Sequence, residues 1–286
     1  MTEQETIIEW LFETKAIRVC QPDQPFWYTS GSLGPYYINT HYLYGSEKEA
    51  NSLLALIEEA AREPLAMPGL LADAISRQYQ NNLQYRELCD LVVKWLQACD
   101  FDLISGGERR DFFFSIQAAV LLNKPHLSIL KNGTMILSEN GFSSHRILCG
   151  EELKSQRVLH VADLVTEASS YQRAWLPAVH SSGATMPITL AIVDRDQGGR
   201  EWLKANGCEL LALTRIDRLL FDQALQNGLI DKAQFELISQ FIVSPQDFMR
   251  RFLVNHPDFL QQQIAMGGKN EERARLCIEK GFADFA

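Results

Sequence analysis

Hydrophobic and polar positions change rhythm twice along this chain. In the first stretch, apolar residues recur at helical spacing: Ile7, Ile8, Leu11 and Phe12 share one face of a predicted helix. Gln21 to Pro35 is rich in Pro, Gly and Ser and predicts irregular chain or a short hairpin. A second helix is predicted from Ser46 to Arg62, with Glu49 three residues after Ser46, the spacing of a capping box. Pro64, Pro68 and Gly69 break that pattern. Leu71 to Cys99 then predicts a long helical stretch with room for one bend.

From residue 101 the period shortens. FDLIS (101–105), HLSIL (126–130), RVLHVA (157–162), ITLAIV (188–193) and CELLAL (208–213) are apolar runs of strand length. Helical segments fall between most of them, at Ser115–Asn123, Ser170–Val179 and Gly198–Asn206. Alternating strands and helices predict an α/β fold with right-handed crossovers and a parallel sheet flanked by helices. Ligands of such sheets bind beyond the carboxyl ends of the strands, which directs attention to the loops at 105–111, 131–150, 163–170 and 194–200. Past Leu219 the strands stop and short helical patterns take over. The expected organisation is N-terminal helices and an aromatic loop over 1–100, an α/β core over 101–218 and a helical extension over 219–286.

Composition narrows the functions open to this arrangement. A formal net charge of -9 argues against a protein that coats nucleic acid, so any anion site must be local. Six scattered cysteines, at 20, 89, 99, 149, 208 and 277, form no CxxC pair and no metal-ligand spacing, and read as reduced thiols. No apolar run reaches membrane-spanning length, and the acidic, amphipathic opening MTEQETIIEWLFE resembles neither a signal nor a transit peptide. A cytoplasmic protein without nucleic-acid or membrane partners is expected.

Four loops could carry chemistry. In 163–170, Asp163 follows a buried strand, and Thr166, Ser169 and Ser170 surround the start of a helix. Hydroxyls and free N–H groups there can cradle an anion, or Asp163 and Thr166 can simply cap the helix. SGGERRD (105–111) sets Gly106 and Gly107 before Arg109 and Arg110, fork-shaped donors suited to phosphate or left in solvent on a turn. In IVDRDQGGRE (192–201), Arg195 could reach a ligand or pair with Asp194 or Glu201. FWYTSGSLGPYYINT (26–40) groups aromatics, Tyr36 and Tyr37 among them, for ligand cover or for packing.

Together these loops resemble the orotate phosphoribosyltransferase family, from about Phe26 to Leu220, with an unfamiliar stretch between about 62 and 100. The family's KSGxxSPYFxN appears as TSGSLGPYYIN, its VDDVxTxGxS as VADLVTEAS, and its DRxxGG as DRDQGG. The resemblance implies a type I phosphoribosyltransferase-like sheet with extra helical segments at both ends, and a homodimer. It implies attack of orotate on phosphoribosyl diphosphate, loss of pyrophosphate through an oxocarbenium-like transition state, and Mg2+ bound through the substrate's pyrophosphate. By the same resemblance Asp163 holds ribose hydroxyls and joins Lys131 as the catalytic candidates. Thr166, Glu167, Ala168, Ser169 and Ser170 span the 5′-phosphate cradle. Gly106, Gly107, Arg109 and Arg110 face pyrophosphate, and Tyr36, Tyr37 and Arg195 face the base.

Departures from the pattern fall at the chemistry. The first of the paired loop acids is Ala162, and losing a charge-assisted hydrogen bond to a sugar hydroxyl removes about 1.5–3 kcal/mol. The usual loop glycine is Ala168, Glu167 brings negative charge beside the cradle, and Thr29 stands where the family has lysine. Between Lys131 and Gly150 only Lys131, His145 and Arg146 remain as cations for a catalytic loop. Two readings follow. One is a protein that binds phosphoribosyl diphosphate or a nucleotide, with weak or altered phosphoribosyl transfer. The other is a non-catalytic ligand-binding or regulatory protein on the same fold.

Overall fold

A computed structural model describes residues 2–282 and turns the predicted rhythm into twelve α-helices and eleven strands among them. Helix α1 (Glu3–Glu13) opens on a capping box between Thr2 and Glu5. Four short strands follow, β1 (Ile17–Val19), β2 (Phe26–Trp27), β3 (Leu33–Gly34) and β4 (Tyr36–Ile38), then a 3-10 turn at Thr40–Tyr44. Helices α2 (Glu47–Ala60), α3 (Met67–Asn81) and α4 (Leu83–Leu96) come next. The expected bend is a full break at Asn82, whose extended backbone (φ -116°) ends α3 while its side chain accepts from Tyr85 N–H and starts α4.

The α/β stretch contains β5 (Leu103–Gly107), α5 (Phe112–Leu122), β6 (His126–Ile129), β7 (Met135–Glu139), β8 (Ser144–Ile147) and β9 (Arg157–Val165). A continuous helical run over 169–181 contains a π-turn at Tyr171–Trp175 and ends in α6 (Leu176–Ser181). After it come β10 (Thr185–Asp194), α7 (Gly199–Ala205) and β11 (Glu209–Arg215). The last five helices are α8 (Arg218–Gln226), α9 (Lys232–Val243), α10 (Pro245–Asn255), α11 (Phe259–Met266) and α12 (Gly268–Glu279). Among the described residues no helix is long and apolar enough to cross a membrane.

Seven strands form one sheet in the order β11-β10-β9-β5-β6-β7-β8. The five strands from β11 to β6 are parallel, as the apolar runs predict. The region at 131–150 is a hairpin, not a loop: β7 pairs antiparallel with β6, and β8 with β7. Ile136 is buried while β8 is largely exposed, so this edge carries one covered strand and one solvated one.

The chain divides into two units, and not at the expected positions. The first takes residues 1–16 and 40–216, the second 17–39 and 217–286. Residue 1 and the last four residues of the expected extension lie outside the described residues. Helices α2 to α4 belong with the sheet because Tyr85, fully buried, donates its hydroxyl to the Phe113 carbonyl in α5 and stacks edge-on with Tyr44. In the second unit the N-terminal strands pack on the C-terminal helices. The Trp27 ring stacks 5.7 Å from Phe259 and donates Nε1–H to Gln263 Oε1 at 3.0 Å. These apolar faces find partners only across a long sequence separation, which local periodicity does not reveal.

One ion pair ties the ends of β10 and β11 together. The Asp194 carboxylate is completely buried and accepts from Arg200 Nε at 3.1 Å and Nη2 at 2.9 Å, while Arg200 Nη1 donates to the Leu210 carbonyl at 2.6 Å. Stripping a buried carboxylate of its cation leaves an uncompensated charge. Arg200→Met should therefore cost about 3 kcal/mol, read as a lowered urea midpoint with an unchanged slope. A loss below about 0.5 kcal/mol would mean that Arg215, 4.0 Å from the same carboxylate, already suffices.

Candidate functional site

The carboxyl ends of β5 and β9 open on a crevice of about 280 Å3 lined by residues 108–111, Lys131, 162–171 and Trp175. It lies where the strand-end rule directs attention. The residues singled out in the sequence divide into those that line it and those that do not. Asp163, Thr166, Glu167, Ala168, Ser169, Ser170, Arg109, Arg110 and Lys131 line it. Gly106 and Gly107 do not; they are the last two residues of β5, not a loop after it. A Cβ on Gly106 would come 2.1 Å from Ser115 Oγ, and one on Gly107 2.1 Å from the Trp175 ring, so both glycines are there for close packing.

Arg195 stands beside the crevice. Its N–H donates to the Val165 carbonyl at 2.8 Å, and its guanidinium Nε is buried without a hydrogen-bond partner. The ion pair that the sequence offers it goes elsewhere, because Asp194 pairs with Arg200 and Arg215. Tyr36 and Tyr37 belong to the second unit. Tyr36 packs 5.1 Å from Phe221 and 5.6 Å from Phe241, and Tyr37 lies 6.2 Å from Phe26.

The loop at 166–168 has a shape that its sequence does not favour. Ala168 adopts a left-handed backbone (φ 55°), which costs a residue with a Cβ roughly 1–2 kcal/mol. Its neighbours hold it there. Gly199 N–H donates to the Thr166 carbonyl at 2.9 Å, and a Cβ on Gly199 would meet that same oxygen at 2.4 Å. Thr166, Ser169 and Ser170 thus surround the first turn of the helix at 169–181, whose N–H groups lack intrahelical partners.

At the floor lies a buried polar network whose members the motifs do not single out. Asp111 Oδ2 accepts from Gly107 N–H at 3.0 Å, and Oδ1 accepts from Asp163 N–H at 3.1 Å. His160 Nε2 is 3.3 Å from Asp111 Oδ2, its Nδ1 is 2.9 Å from Ser105 Oγ, and its ring stacks on Trp175. His41 is a second such residue: buried, with Nδ1 unpartnered. Burial first, and then the charges of Arg110 and Arg109, push its pKa down to about 3. The visible signals were a histidine inside an apolar strand run and an aspartate closing SGGERRD.

Cations and acids alternate around the crevice. Arg109 pairs with Glu58 of α2, and Lys131 Nζ lies 3.8 Å from Glu108 Oε1, whose partner oxygen also accepts from Lys131 N–H at 3.1 Å. Asp163 is buried and its Oδ2 has no partner. Burial raises its carboxyl well above the usual range and the Asp111 carboxylate adds to this, while Arg110 and the Leu164 N–H pull the other way. Among the described residues no group of three or more metal-ligating side chains is present.

No family model matches the chain. It is 27% identical over 158 residues to the orotate phosphoribosyltransferase of Staphylothermus marinus, covering 55% of this chain and 73% of that protein. To the orotate phosphoribosyltransferase of Pyrococcus furiosus it is 24% identical over 216 residues, 76% of this chain and 94% of the other. An adenine phosphoribosyltransferase from Cupriavidus necator is 28% identical over 160 residues, 53% of this chain and 84% of that protein. Leishmania donovani UMP synthase superposes with a TM-score of 0.52 at 18% identity, covering 83% of this chain and 42% of that one. Orotate phosphoribosyltransferase from Francisella tularensis gives 0.50 at 14% identity, with 82% and 96% covered. These two superpositions establish the fold.

The raised Asp163 pKa has a consequence for stability. A carboxyl that holds its proton more tightly folded than unfolded supports the fold in acid, below its ordinary value of 3.8, and loses that support as pH rises toward its raised value. Asp163→Asn cannot ionise. Its stability relative to wild type should therefore improve by at least about 1 kcal/mol between about pH 4 and about pH 8, measured by urea unfolding. A difference that stays flat with pH would show that Asp163 is ionised throughout.

Proposed function

This chain is a divergent member of the orotate phosphoribosyltransferase family, and from that premise we propose that its crevice binds a 5-phosphoribosyl compound, phosphoribosyl diphosphate or a nucleotide, with weak or altered transfer to a nucleobase. One observation carries the reading. A buried carboxylate with an unpartnered oxygen, Asp163, lies in the same crevice as the loop from Thr166 to Ser170. The carboxylate suits ribose hydroxyls, and the hydroxyls and helix-start N–H groups suit a 5′-phosphate. Arg195, whose backbone N–H is fixed on the Val165 carbonyl and whose guanidinium Nε is buried without a partner, is the candidate for the base.

Phosphoribosyl transfer needs no covalent intermediate. The chain's part is to hold two reactants in line and to neutralise the leaving diphosphate. Arg109, Arg110 and Lys131 are the cations available for the second task, yet Arg109 and Lys131 are already engaged by Glu58 and Glu108. Magnesium would supply that neutralisation when bound. It would come carried on the diphosphate, with Asp163 the carboxyl of the crevice lining that would hold it. The engaged cations also support the second reading, binding without turnover. A homodimer and a cytoplasmic location accompany the proposal as inherited features.

Calorimetric titration with phosphoribosyl diphosphate and Mg2+, with ribose 5-phosphate, and then a pyrophosphate assay after adding orotate, separates these outcomes. Binding is expected, with pyrophosphate release slow or absent. Asp163→Ala should weaken binding at neutral pH roughly three- to tenfold, the worth of a hydrogen bond to a carboxyl that still holds its proton. If wild type binds neither compound, the crevice is not a phosphoribosyl site.

A further inference from the structure

Two fixed backbone donors at the ends of neighbouring strands converge on Asp111 of the crevice lining: Gly107 N–H on β5, just behind that lining, and Asp163 N–H on β9. Strand-end donors of this kind are well suited to an incoming anion. Here both are already taken by one side chain. The Asp111 carboxylate spans them, Oδ2 to Gly107 and Oδ1 to Asp163, and His160 braces Oδ2 from the other side. Asp111 is buried and also lines the crevice, so it acts as a resident anion that the fold supplies.

The surrounding charges point the same way. The wall that carries Arg109, Arg110 and Lys131 also carries Glu108 and Asp111, and Glu58 takes up Arg109. A diphosphate entering here meets two of the three cations, Arg109 and Lys131, already paired, and a carboxylate with no freedom to withdraw. The loop from Thr166 to Ser170 depends on none of these residues for its shape; Gly199 and the helix at 169–181 hold it. Resting on the phosphoribosyl reading above, we infer that Asp111 is a specificity-determining residue, setting the crevice to take 5-phosphoribosyl monoesters, such as ribose 5-phosphate or a nucleoside monophosphate, in preference to phosphoribosyl diphosphate. The site then holds the sugar phosphate and excludes the leaving group that transfer would require.

The test is a comparison of two affinities in three full-length proteins: wild type, Asp111→Asn and Glu108→Gln. Each is titrated by calorimetry with ribose 5-phosphate and with phosphoribosyl diphosphate plus Mg2+. Wild type should bind the monoester at least about tenfold more tightly, and Asp111→Asn should shift the ratio of the two affinities by about tenfold toward the diphosphate. Glu108→Gln removes charge from the same wall without touching the floor, and should tighten diphosphate binding by about threefold. It keeps the comparison informative if Asp111→Asn fails to fold by circular dichroism. Tighter wild-type binding of the diphosphate, or an affinity ratio unchanged in every folded variant, overturns the inference. Absence of binding to either compound in wild type overturns the phosphoribosyl reading itself, whereas monoester binding with an unmoved ratio overturns only the role of Asp111.

Discussion

Removing a carboxylate from water is costly unless both of its oxygens find donors, and Asp111 finds them at the ends of two central strands. Gly107 and Asp163 belong to different strands, 56 positions apart in the chain, so one buried side chain fixes the separation of the two loops that make the crevice. Close packing nearby supports that junction. Gly107 has no Cβ because Trp175 occupies the space, and Trp175 in turn stacks on His160, which braces Asp111. Strand end, aromatic ring, imidazole and carboxylate form one chain of contacts. The geometry of Asp163 depends on it, because Asp111 holds the Asp163 N–H and raises the energy of the ionised Asp163 side chain.

Electrostatics and fold pull in different directions here. The sheet order, the position of the crevice and the helix-start loop all favour binding an anion where parallel α/β proteins bind one. The charges around that position do not add up to an anion sink. Arg109 and Lys131 each have an acidic partner, and the acids Glu108, Asp111, Asp163 and Glu167 share the lining with them. A hydrogen-bonding cradle with near-balanced charge can hold a phosphate through directed N–H and O–H donors. It gives less help to a leaving group whose negative charge grows as a bond breaks.

The fold was legible where burial on both faces leaves a continuous apolar run. The five parallel strands and the crossover helices followed directly from RVLHVA, ITLAIV and their neighbours. Two features were hidden because their signal is not periodic. The hairpin of β7 and β8 lies in KNGTMILSENGFSSHRI, where a turn at Asn140–Phe142 needs left-handed backbone and only β7 has an apolar face. The second unit pairs residues 17–39 with helices two hundred positions later, and no local pattern announces such a partner. At the site, the motifs led to Asp163, the loop at 166–170 and the arginines. They did not lead to Asp111 or His160, since a lone acid after two arginines and a histidine inside a strand acquire meaning only once the strands are side by side.

Ala168 and Gly199 show how a loop can keep its shape while its sequence drifts. A left-handed backbone at Ala168 is unfavourable by itself, so the local sequence does not explain the turn. Tertiary contacts do. The Thr166 carbonyl is held by Gly199 N–H, the Val165 carbonyl by Arg195 N–H, and only a residue without a Cβ at 199 permits the first of these approaches. The conformational requirement that a glycine at 168 would have met locally is met by packing from the segment between β10 and α7. That segment is anchored by Arg200 on the buried Asp194. The cradle therefore depends on an ion pair made by the first turn of α7 as much as on its own residues, and its shape can persist independently of whether the groups around it still support transfer.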